Sequence, residues 1–273
     1  MKKKIPVIIL CSIYASIANA QITVPLKNYF RSLKYIEVTI EGNNCNFLFD
    51  TGGGLTLVSP TIVELLNKKA YGNSVGYRMS GERIDTPLCD SVIINIEGQD
   101  FYHQEVGVFD IMTLLPEDFK RVDGLISLKT FENSIIGLDL TKNLLTIEND
   151  QTAKVKKANM QLIPSRFANG PSGIELNLFL RINEENKYWW FLFDTGNIAK
   201  TKVNKQVVDA WGLVSDSSTT ELMHPIHTDI GLIEAPILVD DLIYDGALCF
   251  DVISSTEYLI SLKDSKVWKT QSK

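Results

Sequence analysis

The chain has 273 residues, with 27 Lys and Arg against 33 Asp and Glu, a formal charge of −6 and only three His. Its hydrophobic share of 45 % is enough for one large packed unit or two small ones, each with a real core. An acidic chain without a basic patch argues against a nucleic-acid partner, the scarcity of His argues against His-based catalysis or a His-rich metal site, and no cofactor or metal is expected.

Met1-Lys2-Lys3-Lys4, the apolar run from Ile5 to Ile17 and the small-x-small triplet Ala18-Asn19-Ala20 have the three parts of a secretory signal peptide cut after Ala20. The run is shorter than the roughly 20 residues of a spanning helix, and no later stretch is long and apolar enough to replace it. The expected location is the periplasm or the medium. Loss of three lysines with residues 1–20 takes the charge from −6 to −9. Cys45, Cys89 and Cys249 remain. An odd number in an exported protein leaves at least one thiol free or in an intermolecular bond, and a Cys45–Cys89 bridge stays open.

Residues 21–34 read as a lead-in with an edge strand. Tyr35 to Ile40 alternates as a half-buried strand does, Glu41-Gly42-Asn43-Asn44 has turn chemistry, and Cys45 to Asp50 is the return arm of a hairpin. After Gly52-Gly53-Gly54, Leu55 to Val58 is a strand, and Ser59-Pro60 caps a helix over 61–68. Tyr71 to Gly81 is polar and Gly-containing, the composition of a lid or of an ordinary surface hairpin. Asp123-Gly124-Leu125-Ile126-Ser127 precedes a terminal hairpin, Ile135 to Leu140 and Leu144 to Ile147. Residues 151–159 are polar and Lys-rich and read as a linker.

The plan then repeats. Ile174 to Ile182 and Tyr188 to Asp194 form a second hairpin, Thr201-Lys202-Val203 follows, and Asn204 caps a helix through Trp211 that Gly212 ends. Strand alternation turns one ring of Trp189-Trp190 to the core and the other to solvent or a neighbour. Asp245-Gly246-Ala247-Leu248-Cys249 precedes a second terminal hairpin, Tyr258 to Leu262 and Val267-Trp268. The strongest sign of duplication is Phe47-Leu48-Phe49-Asp50-Thr51-Gly52, repeated unchanged as Phe191-Leu192-Phe193-Asp194-Thr195-Gly196. Each copy ends an apolar strand in a carboxylate, which is costly unless that acid is paired or working.

Two Asp-Thr-Gly triplets behind apolar strands, each followed downstream by Asp-Gly-apolar-apolar, resemble the aspartic proteases, as two retropepsin-like units in one chain in the pepsin-like arrangement. The likeness covers nearly all of the mature chain and suggests a bacterial-type secreted form. It implies a mostly β, two-lobed acid-protease fold with a pseudo-twofold and a short helix in each lobe. The expected division is 1–20 signal peptide, 21–150 N-terminal lobe with a flap, 151–159 linker and 160–273 C-terminal lobe. The separation from Asp50 to Asp123 is 73 positions but from Asp194 to Asp245 only 51, so the flap belongs to the first lobe.

The resemblance implies an aspartic endopeptidase. Asp50 and Asp194 are the expected catalytic pair, sharing one proton and activating a water. Thr51, Gly52, Thr195 and Gly196 are expected to support the two active-site loops, and Tyr77 to contact substrate from the flap. A peptide or protein substrate in the cleft of a monomer is the expected partner. The sequence departs from the family at Gly53 and Asn197, where a hydroxyl would donate to the acid, and at Ser127 and Cys249, where the family has Gly. Gly53 has no side-chain donor, whereas Asn197 has an amide, so any activity is expected at weakly acidic to neutral pH. The rival reading is a secreted protein of the same fold that binds peptide or glycan without cutting it. His224-Pro225-Ile226-His227 has no evident third metal ligand in the sequence.

Overall fold

The computed structural model describes residues 21–184, 187–213 and 220–271. The predicted signal peptide lies outside the described residues. The described chain is a two-lobed, largely β structure with three sheets, of eight, nine and six strands, and a few short helices.

The first lobe is the eight-stranded sheet. Its centre is the hairpin Lys34–Ile40 and Asn43–Phe49, with Val38 opposite Cys45 and Ile36 opposite Phe47. Phe47 and Phe49 are fully buried, as alternation requires for side chains on the core face. The strand Gly124–Ile126 runs parallel to Asn43–Phe49, with Phe47 against Gly124 and Phe49 against Ile126. The second lobe repeats this arrangement. Asn177–Glu184 pairs with Lys187–Phe193, and Gly246–Leu248 lies parallel to it with Phe191 against Gly246. Glycine is required at both places. A Cβ on Gly246 would come 2.6 Å from Lys202 O and 2.6 Å from the Phe191 ring, and one on Gly124 would collide with Leu57 O and the Phe47 ring.

The two Asp-Gly segments also dock alike. Asp123 Oδ2 accepts from Asn46 N at 3.0 Å, and Asp245 Oδ2 accepts from Trp190 N at 2.8 Å. Their carbonyls accept from the residues that cap the helices, Ser59 N at 2.8 Å and Asn204 N at 2.9 Å. Those caps form as expected: the Ser59 side chain accepts from Ile62 N ahead of Pro60–Leu65, and the Asn204 side chain from Gln206 N ahead of Lys205–Ala210. Gly212 ends the second helix at φ +71°. Trp189 packs edge-on against Trp211, while Trp190 lies under the Arg166 guanidinium, 4.0 Å from its centroid.

The six-stranded sheet joins the lobes. Its order is Ile22–Pro25, Leu144–Glu148, Ile135–Asp139, Glu257–Ser261, Lys266–Thr270, Met160–Ile163. The central pair, with Ile136 opposite Ile260, brings the two terminal hairpins together. The segment read as a linker contains a helix, Asp150–Lys157, started by a capping box between Asn149 and Thr152. Its Lys156 reaches Glu148 of the first half at 2.8 Å and Glu257 of the second at 3.2 Å. Cys45, Cys89 and Cys249 are all free and buried, so the bridge left open between Cys45 and Cys89 is not formed.

His103, on the strand Gln99–Val108, is 6 % exposed and its Nε2 has no hydrogen-bond partner. Burial pushes its pKa down from 6.5 to about 4, the nearby Glu132 opposing the shift and Lys129 adding to it. The folded pKa lies below the unfolded one. Its full contribution is therefore present above pH 6.5 and is lost as pH falls towards 4. By linkage the loss reaches about 2 kcal/mol at pH 5. In His103→Leu this part of the acid destabilisation is expected to vanish, read as a smaller drop in urea midpoint between pH 7 and pH 5 than in the wild type.

Candidate functional site

The two Asp-Thr-Gly loops meet where the lobes join. Thr51 and Thr195 are buried, 0 % and 2 % exposed, and bond across the junction. Thr51 N donates to Thr195 Oγ1 at 3.0 Å and Thr195 N to Thr51 Oγ1 at 3.0 Å. The Thr51 hydroxyl also donates to Phe193 O at 2.6 Å. This exchange fixes both loops and sets Asp50 and Asp194 side by side, each acid against the glycine of the other's loop.

Each acid accepts from the backbone of its own loop. Gly52 N donates to Asp50 Oδ1 at 2.8 Å, and Gly196 N and Asn197 N donate to Asp194 Oδ1 at 2.9 and 3.0 Å. The glycines also make room for the opposite acid. A Cβ on Gly196 would lie 2.6 Å from the Asp50 carboxylate, and one on Gly52 would run into Asp194. Asp194 is 5 % exposed, while Asp50 is the more open of the two. Burial raises the pKa of both above the ordinary carboxylate range. At Asp194 the charge of Asp50 raises it further, and the backbone donors offset only part. The pair therefore holds one proton between its two carboxyl groups.

Asn197 does not supply the side-chain donor that its amide offered in the sequence. Its Nδ2 donates to Lys200 O at 3.1 Å and its Oδ1 accepts from Ala199 N, so the amide is turned away from Asp194. Ser127 and Cys249 take equivalent places beneath the loops. Thr56 Oγ1 is 3.0 Å from Ser127 Oγ, and Thr201 Oγ1 is 3.5 Å from Cys249 Sγ. Thr56 and Thr201 are site residues the sequence reading missed. They follow the two acids by six and seven positions, so overlaying the halves with a one-residue gap would have aligned them.

The flap is present as the hairpin Tyr71–Tyr77 and Arg83–Ile96, closed by a turn in which Arg78 N donates to Glu82 O at 2.9 Å. Tyr77 ends the first arm and is 58 % exposed; it precedes the tip rather than forming it. The tip residue that reaches the second lobe is Met79, whose carbonyl accepts from Ile243 N at 2.9 Å. Under the flap lies a cavity of about 370 Å³, walled by Leu57, Ile84, Leu125, Leu192 and Tyr244. It adjoins a second space of about 410 Å³ that contains Asp50, Asp194 and Met79. A polar depression of about 460 Å³ around Glu37, Asn95 and Lys120 is larger but lies away from the acids.

Residues 36–140 match the family described as aspartyl protease. Over 92 % of this chain and 95 % of theirs, two solved structures share its fold: basic 7S globulin from soybean, at a TM-score of 0.56, and conglutin gamma, a basic 7S globulin from lupine seeds, at 0.57. The chain has the fold of the pepsin-like aspartic-protease family. Identity to either globulin is 8 %, so the likeness is one of fold alone. No curated protein matches the chain in sequence.

The expectation of an aspartic endopeptidase, and with it of a hydrolase or protease, is not upheld. Two solved structures that share its fold over 92 % of the chain are globulins, from soybean and from lupine seeds, so hydrolysis does not follow from the two lobes. The surroundings of the acids agree: position 53 has no side-chain donor and Asn197 is turned away. No group of three His, Cys, Asp or Glu able to hold a metal occurs among the described residues. The structure does bring Glu184 to both His224, at 3.6 Å, and His227, at 3.5 Å, a neighbour the sequence did not reveal. Among the described residues no helix is long and apolar enough to cross a membrane.

Proposed function

We propose that the chain is an exported, monomeric peptide-binding protein on the aspartic-protease fold, holding an extended segment between the flap and the paired acids. The observation that carries this reading is the flap strand. Tyr71–Tyr77 pairs only with Arg83–Ile96 among the described strands and so forms the edge of its sheet. Ser74, Val75, Gly76 and Tyr77 of that strand line the cavity. An edge strand offers unpaired N–H and C=O groups to which an extended peptide can add as a further strand. That favours peptide over glycan, whose recognition has no use for a strand edge. The Met79–Ile243 hydrogen bond closes the cleft, so entry requires the flap tip to lift.

Titration calorimetry with unstructured decapeptides and with oligosaccharides tests this. Peptide is expected to bind, to be recovered intact, and to slow amide exchange across residues 71–77. Binding of oligosaccharide alone, or recovery of cut peptide, overturns the reading.

A further inference from the structure

We propose that Glu175 makes the cleft select a cationic side chain, lysine or arginine, in the bound segment; this rests on the peptide-binding reading. Glu175 lines the cavity under the flap. Its Oε1 lies 3.6 Å from where a Cβ on Gly76 would sit and its Oε2 2.5 Å from where one on Gly170 would sit, which places the carboxylate between the flap backbone and the loop before Asn177–Glu184.

Among the described residues no hydrogen bond or ion pair reaches this carboxylate, although it is half-buried. Other shielded acids of the fold are answered. Asp139 has Lys142 and Thr141, Glu148 has Lys156 and Thr146, and Asp123 and Asp245 hold backbone N–H groups. Arg78 of the flap, which lines the same cavity, is engaged by Glu82 at 3.1 Å. Burial raises the pKa of Glu175, the mark of a carboxylate that has lost water without gaining a donor.

A ligand cation would supply the missing partner. The surrounding wall suits the rest of such a side chain, since Leu57, Ile84 and Leu125 offer apolar surface to the methylene stem while the charged head reaches the acid. The net negative charge, −6 for the full chain, steers cationic segments towards the protein before contact, and loss of Lys2, Lys3 and Lys4 on export strengthens it.

The test uses three Ala/Ser decapeptide series that differ only in carrying Lys, norleucine or Glu at each position in turn. They are titrated against the wild type, Glu175→Gln and Glu175→Lys, with thermal melting to confirm that the variants fold. At one position the wild type is expected to bind the Lys peptide about tenfold tighter than the norleucine peptide, the scale of one charge-assisted contact. Glu175→Gln is expected to bind the two alike, and Glu175→Lys to favour the Glu peptide. A Lys preference that survives Glu175→Gln overturns the inference, as does a wild type that binds all three alike. A wild type that binds none of them overturns the peptide-binding reading itself, and this inference with it.

Discussion

Thr51→Val is expected to destabilise the folded chain by about 4 kcal/mol, and Thr195→Val by about half as much. Valine matches threonine in shape, so the effect isolates the hydroxyl. Thr51 Oγ1 accepts from Thr195 N at 3.0 Å and donates to Phe193 O at 2.6 Å. Its loss strands one donor and one acceptor at a place that is 0 % exposed. Each buried polar group left without a partner costs about 1–3 kcal/mol. Thr195 Oγ1 accepts from Thr51 N at 3.0 Å and lies 3.3 Å from Thr51 Oγ1, so its removal strands a single backbone donor. The double variant should cost less than the sum of the singles, because both remove the same hydroxyl pair. Urea unfolding at pH 7 measures all three. Equal losses below about 1 kcal/mol in both single variants would show that water enters the junction and replaces the hydroxyls.

The elements legible in the sequence were those whose cause is local. Phe47 to Phe49 and Phe191 to Phe193 announce strands by alternation, and Ser59 and Asn204 announce helix starts by capping chemistry. The repeated Asp-Thr-Gly triplets also located both acids, because a carboxylate behind an apolar strand contradicts burial on its own terms. What stayed hidden depends on partners far along the chain. Thr56 meets Ser127, 71 positions on, and Met79 meets Ile243 of the other lobe. The turning of Asn197 towards Lys200 is a choice between two nearby acceptors that spacing does not decide. The helix over Asp150–Lys157 was read as linker because it buries little beyond Ala153; its cap and its Lys156 ion pairs hold it instead. Function was the least legible, since a fold shared with globulins from soybean and lupine seeds does not specify an activity.

Asp194→Asn is expected to stabilise the chain at pH 7, by about 3 kcal/mol, because the folded acid must take up a proton that the unfolded acid has lost and asparagine needs none. The wild-type carboxyl has its pKa raised by burial first and by the charge of Asp50 second. An acid whose folded pKa lies above its unfolded value of 3.8 costs nothing while both states are protonated. It destabilises progressively as pH climbs past 3.8, and fully once pH exceeds the folded value. Asparagine keeps the useful contacts. Its Oδ1 can accept from Gly196 N and Asn197 N as Asp194 Oδ1 does, and its amide can donate to Asp50 in place of the shared proton. The gain should therefore shrink towards zero near pH 3.8. His103 acts in the opposite sense, weakening the fold as pH falls below 6.5. Wild-type stability is then limited on both sides, whereas the variant retains only the acid limb. Urea midpoints from pH 4 to pH 8 separate the two. A variant weaker than wild type by the same amount at every pH would mean that the acids act as a plain hydrogen bond between lobes. A gain confined to neutral pH would mean that the fold keeps a second acid beside Asp50 against its own stability, which is the behaviour of a ligand-contacting site rather than of a structural joint.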